Sequence, residues 1–176
     1  PLSMAAWKLG PALATGNSVV LKPAEQSPFT ALKIAELAIE AGIPRGVLNV
    51  VPGLGHIAGK ALGLHMDVDC VGFTGSTEVG GYFMQYSGQS NIKRIGLELG
   101  GKSPNVFFED VFDKQDDFAD KVLEGFSMFA LNQGEVCTCP SRALIQKSIY
   151  DEFLALAVKR IGDTFPGNPL DTDTRV

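Results

Sequence analysis

Two short runs in the chain have residue types and spacing suited to chemistry. The run LELGGK, residues 97–102, sets an acid, Glu98, among leucines and glycines, and NQGEVC, residues 132–137, sets a thiol, Cys137, among small and polar residues. A thiolate attacks a carbonyl carbon to form a covalent adduct, and a carboxylate activates the water that releases it. The segment upstream of both has the look of a nucleotide site, and a bound hydride acceptor would turn this pair to covalent oxidation.

Each residue also has a plainer reading. Strand alternation leaves Glu98 equally suited to facing water, away from any partner. Cys70 lies in the strand-like run CVGFT and reads as a small buried hydrophobe, which leaves Cys137 as the nucleophile candidate. Cys139, followed by Pro140, is either a bystander or a redox partner in a C-x-C loop. A metal site is not expected, because C-x-C with His56 and His65 far upstream matches no familiar ligand spacing.

The nucleotide reading rests on two strand exits. In LKPAE a cation and a carboxylate, Lys22 and Glu25, stand three apart at the end of a strand; Glu25 suits a ribose diol and would repel a 2′-phosphate, or the two form a solvated surface pair. In FTGS the chain leaves a strand at Thr74 and enters a helix through Gly75 and Ser76. Such a turn favours an anion at the open amides of the first helical turn, or is simply a tight turn that wants Gly and Ser. The glycines of PGLGHIAG depart from G-x-G-x-x-G, so the ordinary dinucleotide fingerprint is absent and any dinucleotide must bind in a variant manner.

The elements that must carry these residues follow a β-α-β rhythm. β-branched runs at residues 18–22, 47–51, 70–74 and 95–99 predict buried strands, separated by helical patterns, which is the sign of a parallel sheet with crossover helices. Ser27 is the expected N-cap of the first crossover helix, with Pro28 at N1 and Gly42 as its stop. Composition changes character at Gly100-Gly101. Beyond it the pattern predicts a strand at 105–108, an acidic approach at 113–117, an aromatic helix with Phe126 and Phe129, the thiol loop, a strand at 143–146, and a last helix capped by Ser148. The expected fold is α/β: an open parallel Rossmann-like sheet with flanking helices in residues 1–100, a partial nucleotide-binding domain, then the start of a second α/β catalytic domain in residues 101–176.

Twenty acidic residues against 15 basic ones give a net charge of −5 with no basic stripe, so nucleic acid is not an expected partner. No apolar run approaches the roughly 20 residues needed to span a bilayer, and no leader pattern opens the chain; a cytoplasmic address and three reduced cysteines are the expectation. The ends, Pro1 without an initiator methionine and a loop after GNP, suggest a piece of a longer protein.

The runs KLGPALATGN, LKPAEQSPFTAL, EAGIPRGVLNVVPG, FTGSTEVG, LELGGKSPN and NQGEVCTCPSR together resemble the aldehyde dehydrogenase superfamily, over essentially the whole chain and closest to its NAD(P)-dependent, hydrolytic members. The resemblance implies Cys137 as nucleophile and Glu98 as the base for thioester hydrolysis. It implies Lys22 and Glu25 at the adenosine ribose, Gly55 on the adenine side, and Thr74, Gly75, Ser76 and Leu99 along the rest of the cofactor. Lys8 resembles a lysine near the active site. NAD is the implied cofactor, with NADP as the alternative, an aldehyde the substrate, and a homodimer or homotetramer the assembly of the parent protein. The family's oxyanion asparagine falls in a segment just upstream of Pro1, and Cys139 takes a place often held by a small residue. Two other outcomes stay open: a fragment that only binds nucleotide or assembles with the rest of an enzyme, and an enzyme that passes its thioester to coenzyme A. Glu98 argues against the second, since that route needs no hydrolytic base.

Overall fold

All strand pairs are parallel, the arrangement that crossover helices impose. The structure, a computed structural model, describes residues 1–113, 117–162, 164 and 166–174. The middle of the expected acidic approach, residues 114–116, lies outside the described residues, as do residues 175–176. By internal contacts the chain divides into two compact units, Pro1–Leu99 and Gly100–Val176. Among the described residues no helix is long and apolar enough to cross a membrane.

The first unit opens with α1 (Leu2–Ala14), which buries Ala5 and Leu9. Strands β1 (Val19–Leu21) and β2 (Leu48–Val50) pair with Val19 opposite Leu48, and α2 (Phe29–Glu40) makes the crossover. Ser27 does not cap α2, contrary to expectation. Its N–H donates to the Ala24 carbonyl in a turn, and Pro28, already helical at φ −82°, takes the cap position with no side-chain bond. Gly42 does end the helix: at φ +85° it occupies the left-handed region that glycine tolerates best.

A π-helical turn, Gly55–Gly59, runs into α3 (Lys60–Leu64), followed by β3 (Cys70–Gly75), α4 (Thr77–Gly88) and β4 (Arg94–Leu99). The β3–β4 register sets Thr74 opposite Glu98 and Gly75 opposite Leu99. Hydrogen-bonded ladders come as pairs, β1 with β2 and β3 with β4. Cys70 is exposed, which corrects its reading as a buried hydrophobe. Successive strand residues face opposite ways, and here Val71 and Phe73 take the inner side, leaving Cys70 and Gly72 outside. Lys93 is buried, its ammonium donating to the Gly63 carbonyl (2.7 Å) and Ser90 Oγ (2.6 Å). Those bonds tie the end of α3 to the turn between α4 and β4 and satisfy a charge that burial would otherwise penalise.

The second unit pairs β5 (Pro104–Phe107) with β6 (Arg142–Ile145) and adds α5 (Asp117–Phe126) and α6 (Tyr150–Ile161). Its core is aromatic. Phe153 is fully buried, 4.4 Å from the Phe107 ring and 5.7 Å from that of Phe126, with Val111, Ile149 and Ala157 around it. Charges complement the dipole of α6, with Asp151 and Glu152 in its first turn and Lys159 and Arg160 in its last. Ser148 is not its cap: a 3₁₀ turn, Lys147–Ile149, precedes the helix, and Ser148 Oγ donates to Glu109 Oε2 at 2.7 Å.

Candidate active site

Cys137 sits at a corner. The Cys139 N–H donates to the Val136 carbonyl at 2.9 Å, closing a tight turn in which Cys137 and Thr138 are the central residues. The thiol is half-buried, while Cys139 is buried with its S–H directed at the Leu131 carbonyl, 3.6 Å away. The approach to the turn is strained. Asn132 (φ 48°), Gln133 (φ 61°) and Gly134 (φ 73°) are consecutive left-handed residues; asparagine tolerates that region better than most side chains, and glutamine does not. Gly134 has a second reason to be glycine, since a Cβ there would come within 3.1 Å of the Phe129 carbonyl. The Phe129 ring packs tilted against that of Phe126, centroids 4.8 Å apart, so the loop is mounted on the aromatic core.

Glu98 lies on the exposed side of β4, the orientation that alternation allowed. Its surroundings were not legible from spacing. Lys8, reaching over from α1, donates to Thr74 Oγ1 at 2.5 Å and to the Met4 carbonyl at 3.5 Å, and its methylenes run along Gly72. Burial holds the Lys8 ammonium below the usual lysine range, and the Glu98 carboxylate pulls it the other way. The ends of β3 and β4 therefore gather Lys8, Thr74 and Glu98 in one electrostatic neighbourhood.

The strand-exit residues form a second group. Lys22 Nζ donates to the carbonyls of Pro23 (2.7 Å) and Gly53 (2.9 Å) and stands 3.6 Å from Glu25 Oε2. Glu25 Oε1 accepts the Gly55 N–H. The pair is thus no loose surface couple: it stitches the loop after β1 to the loop after β2. The Glu25 carboxyl is held below its usual range by its own backbone N–H, then by that of Gly55, then by the Lys22 charge. The sequence reading took Gly53 only as part of a glycine run that departs from the dinucleotide fingerprint. A Cβ there would lie 2.9 Å from that of Ala58, so the close approach of the loop to the π-helical turn requires glycine.

At the third group, Ser76 caps α4, its Oγ accepting the Val79 N–H at 3.2 Å. Gly75 is needed for a reason internal to the fold, because a Cβ there would strike the Phe73 ring at 2.5 Å. Leu99 packs on Gly80 of α4, whose Cβ, if present, would sit 3.0 Å from Leu99 Cδ2. A Cβ on Gly59 would meet Lys22 at 3.8 Å and Phe83 of α4 at 3.9 Å, so the π-helical turn packs between the loop after β1 and α4. All candidate cofactor residues and Glu98 belong to the first unit, and Cys137 to the second. Among the described residues no group of three or more His, Cys, Asp or Glu side chains could hold a metal.

Comparison with known proteins agrees in one direction. The model of the aldehyde dehydrogenase family matches residues 1–176. A long-chain-aldehyde dehydrogenase from Acinetobacter is 60% identical over the whole chain, which covers 35% of that protein. The crystal structure of the aldehyde dehydrogenase KauB from Pseudomonas aeruginosa superposes with a TM-score of 0.92 at 56% identity, the chain covered fully and 35% of KauB with it. An indole-3-acetaldehyde dehydrogenase solved in complex with NAD+ superposes at 0.91 with 59% identity and the same coverage. The chain thus spans about a third of the length of these relatives. Matched along its entire length, it belongs to the aldehyde dehydrogenase family.

Proposed function

We propose that the protein bearing this chain oxidises an aldehyde to a carboxylic acid with NAD, NADP being the alternative. Cys137 is the nucleophile. Its thiolate adds to the carbonyl carbon, giving a thiohemiacetal; loss of hydride from that carbon leaves a thioester on the same sulfur. Glu98 then takes a proton from water, the hydroxide adds to the thioester carbon, and the C–S bond breaks to return the thiolate and release the acid.

A nicotinamide cofactor, when bound, supplies the acceptor for that hydride. The residues present fit such a group. Glu25 presents a carboxylate held beside the Lys22 cation, suited to a ribose diol, and the capped start of α4 at Gly75 and Ser76 offers first-turn amides to a pyrophosphate. Gly55, Thr74 and Leu99 complete the set that would hold it.

The observation that supports this reading most is the setting of Cys137: a half-buried thiol at the corner of a turn, approached through strained backbone of the kind that proteins keep where a side chain must be aimed. Three free cysteines fit a reducing compartment, and we place the protein in the cytoplasm, as a homodimer or homotetramer. The test is Cys137→Ala in the full-length protein bearing this sequence, assayed with NAD and propanal. Turnover should fall to background, whereas retained dehydrogenase activity refutes the assignment.

A further inference from the structure

Two thiols share one turn of the second unit, and the reaction above uses only one of them. We propose that Cys139 is the resolving thiol of Cys137: once a peroxide has oxidised Cys137, Cys139 closes a disulfide to it and keeps that sulfur at a reducible stage. This inference rests on the catalytic reading, which makes Cys137 a thiolate nucleophile. The two sulfurs are unequally open to solvent. Cys137 is half-buried, so a molecule as small as hydrogen peroxide reaches it, whereas Cys139 is buried with its S–H directed at the Leu131 carbonyl, 3.6 Å away. Burial shields Cys139 from the oxidant, and a thiol is a weak donor, so it exchanges that carbonyl for another partner at small cost.

The backbone brings the pair within reach. Only Thr138 separates them, and the Cys139 N–H on the Val136 carbonyl, at 2.9 Å, folds the chain at that point. Two Cα–Cα steps of about 3.8 Å bent through a turn fall inside the roughly 4.4–6.8 Å that a disulfide spans. The turn is held on both sides, by Gly134 packed on the Phe129 carbonyl and by Pro140, whose ring restricts the backbone of Cys139 before it. A ring closed over one intervening residue is strained, and strained disulfides are the readily reduced ones.

The chemistry balances in two steps. The Cys137 thiolate attacks one oxygen of hydrogen peroxide, the O–O bond breaks, and the sulfur becomes a sulfenic acid as hydroxide leaves. Cys139 then attacks that sulfur: the S–S bond forms, the S–O bond breaks, and the departing hydroxide takes the thiol proton to leave as water. The disulfide ties up the nucleophile and so stops turnover, and a dithiol restores both thiols by exchange. Without Cys139, excess peroxide carries the sulfenic acid on to sulfinic and sulfonic acids, which thiols do not reduce.

The test treats the full-length protein bearing this sequence with excess hydrogen peroxide, then assays it with NAD and propanal before and after dithiothreitol. Wild-type activity should fall about tenfold or more and return to within about twofold of its starting value on reduction. Trypsin releases residues 122–142 as one peptide that carries Cys137 and Cys139 but not Cys70. After peroxide and iodoacetamide this peptide should carry no alkyl group and be lighter than its reduced form by two hydrogens. Cys139→Ala should keep kcat within about twofold before oxidation, yet regain about fivefold less activity than wild type on reduction, with sulfinic acid on Cys137. Cys139→Ser carries the same test if the alanine variant does not fold, and the wild-type peptide decides if neither does. Full recovery of the Cys139 variant overturns the proposal, as does a disulfide from Cys137 to Cys70 or to another chain, or a wild-type loss that dithiothreitol does not reverse. Cys137→Ala run alongside separates the two readings. If it stays active the catalytic reading fails, whereas an inactive Cys137→Ala beside an oxidised wild type with no Cys137–Cys139 bond removes only the role of Cys139.

Discussion

Lys8 and Glu25 show how single charges are set by their neighbours. Burial draws the Lys8 ammonium below the usual lysine value, so in the window between that lowered value and the usual one the unfolded chain binds more protons than the folded one. Stability therefore rises with pH through that alkaline window, and Lys8→Met should flatten the rise. Because Glu98 opposes the shift, Glu98→Gln should lower Lys8 further, as read from its side-chain NMR titration; an upward move contradicts the contact. Glu25→Gln keeps the shape of the carboxylate and removes its charge, and the preference for NAD over NADP, measured as the ratio of kcat/KM for the two, should fall about tenfold, while an unchanged ratio would show that charge does not set coenzyme choice. Lys22 and Glu25 were legible as a pair from their types and their place at a strand exit. Their real partners, Gly53 and Gly55, were not: those contacts join residues about thirty positions apart, and nothing local encodes them.

Among the elements, strands and crossover helices were legible because period and turn residues act locally. Caps were less so. Ser27 and Ser148 have the right chemistry for caps, yet each is engaged elsewhere, Ser27 in a turn to Ala24 and Ser148 by Glu109, and only tertiary structure reveals such competition. Ser76, whose place in the sequence was read only as a turn or anion site, caps α4. The thiol loop is the element where local rules are broken outright, with Asn132 and Gln133 left-handed ahead of Gly134. Gly134→Ala would add a third strained side chain at φ 73° and press its Cβ on the Phe129 carbonyl. It should lower stability by about 1–2 kcal/mol in urea unfolding and change the alkylation rate of Cys137; a variant with wild-type stability and reactivity would show that the loop is not held as described.

At the scale of the whole molecule, long ordered motifs made the family legible, since many short runs must agree in sequence and order at once. The fold class followed from the β-α-β rhythm. The acid and the thiol lie in separate compact units joined at Leu99 and Gly100, and their cooperation is a matter for kinetics. The proposed chemistry has two halves that a single substitution pulls apart: Glu98→Gln spares the sulfur and stops the water. In the full-length protein mixed with NAD and propanal, then quenched and digested, this variant should show a first-turnover burst of about one NADH per Cys137, an acyl thioester on the peptide that carries Cys137, and steady-state release slowed about a hundredfold or more. Steady-state turnover at the unmodified rate, with no acyl group on that peptide, would contradict the account.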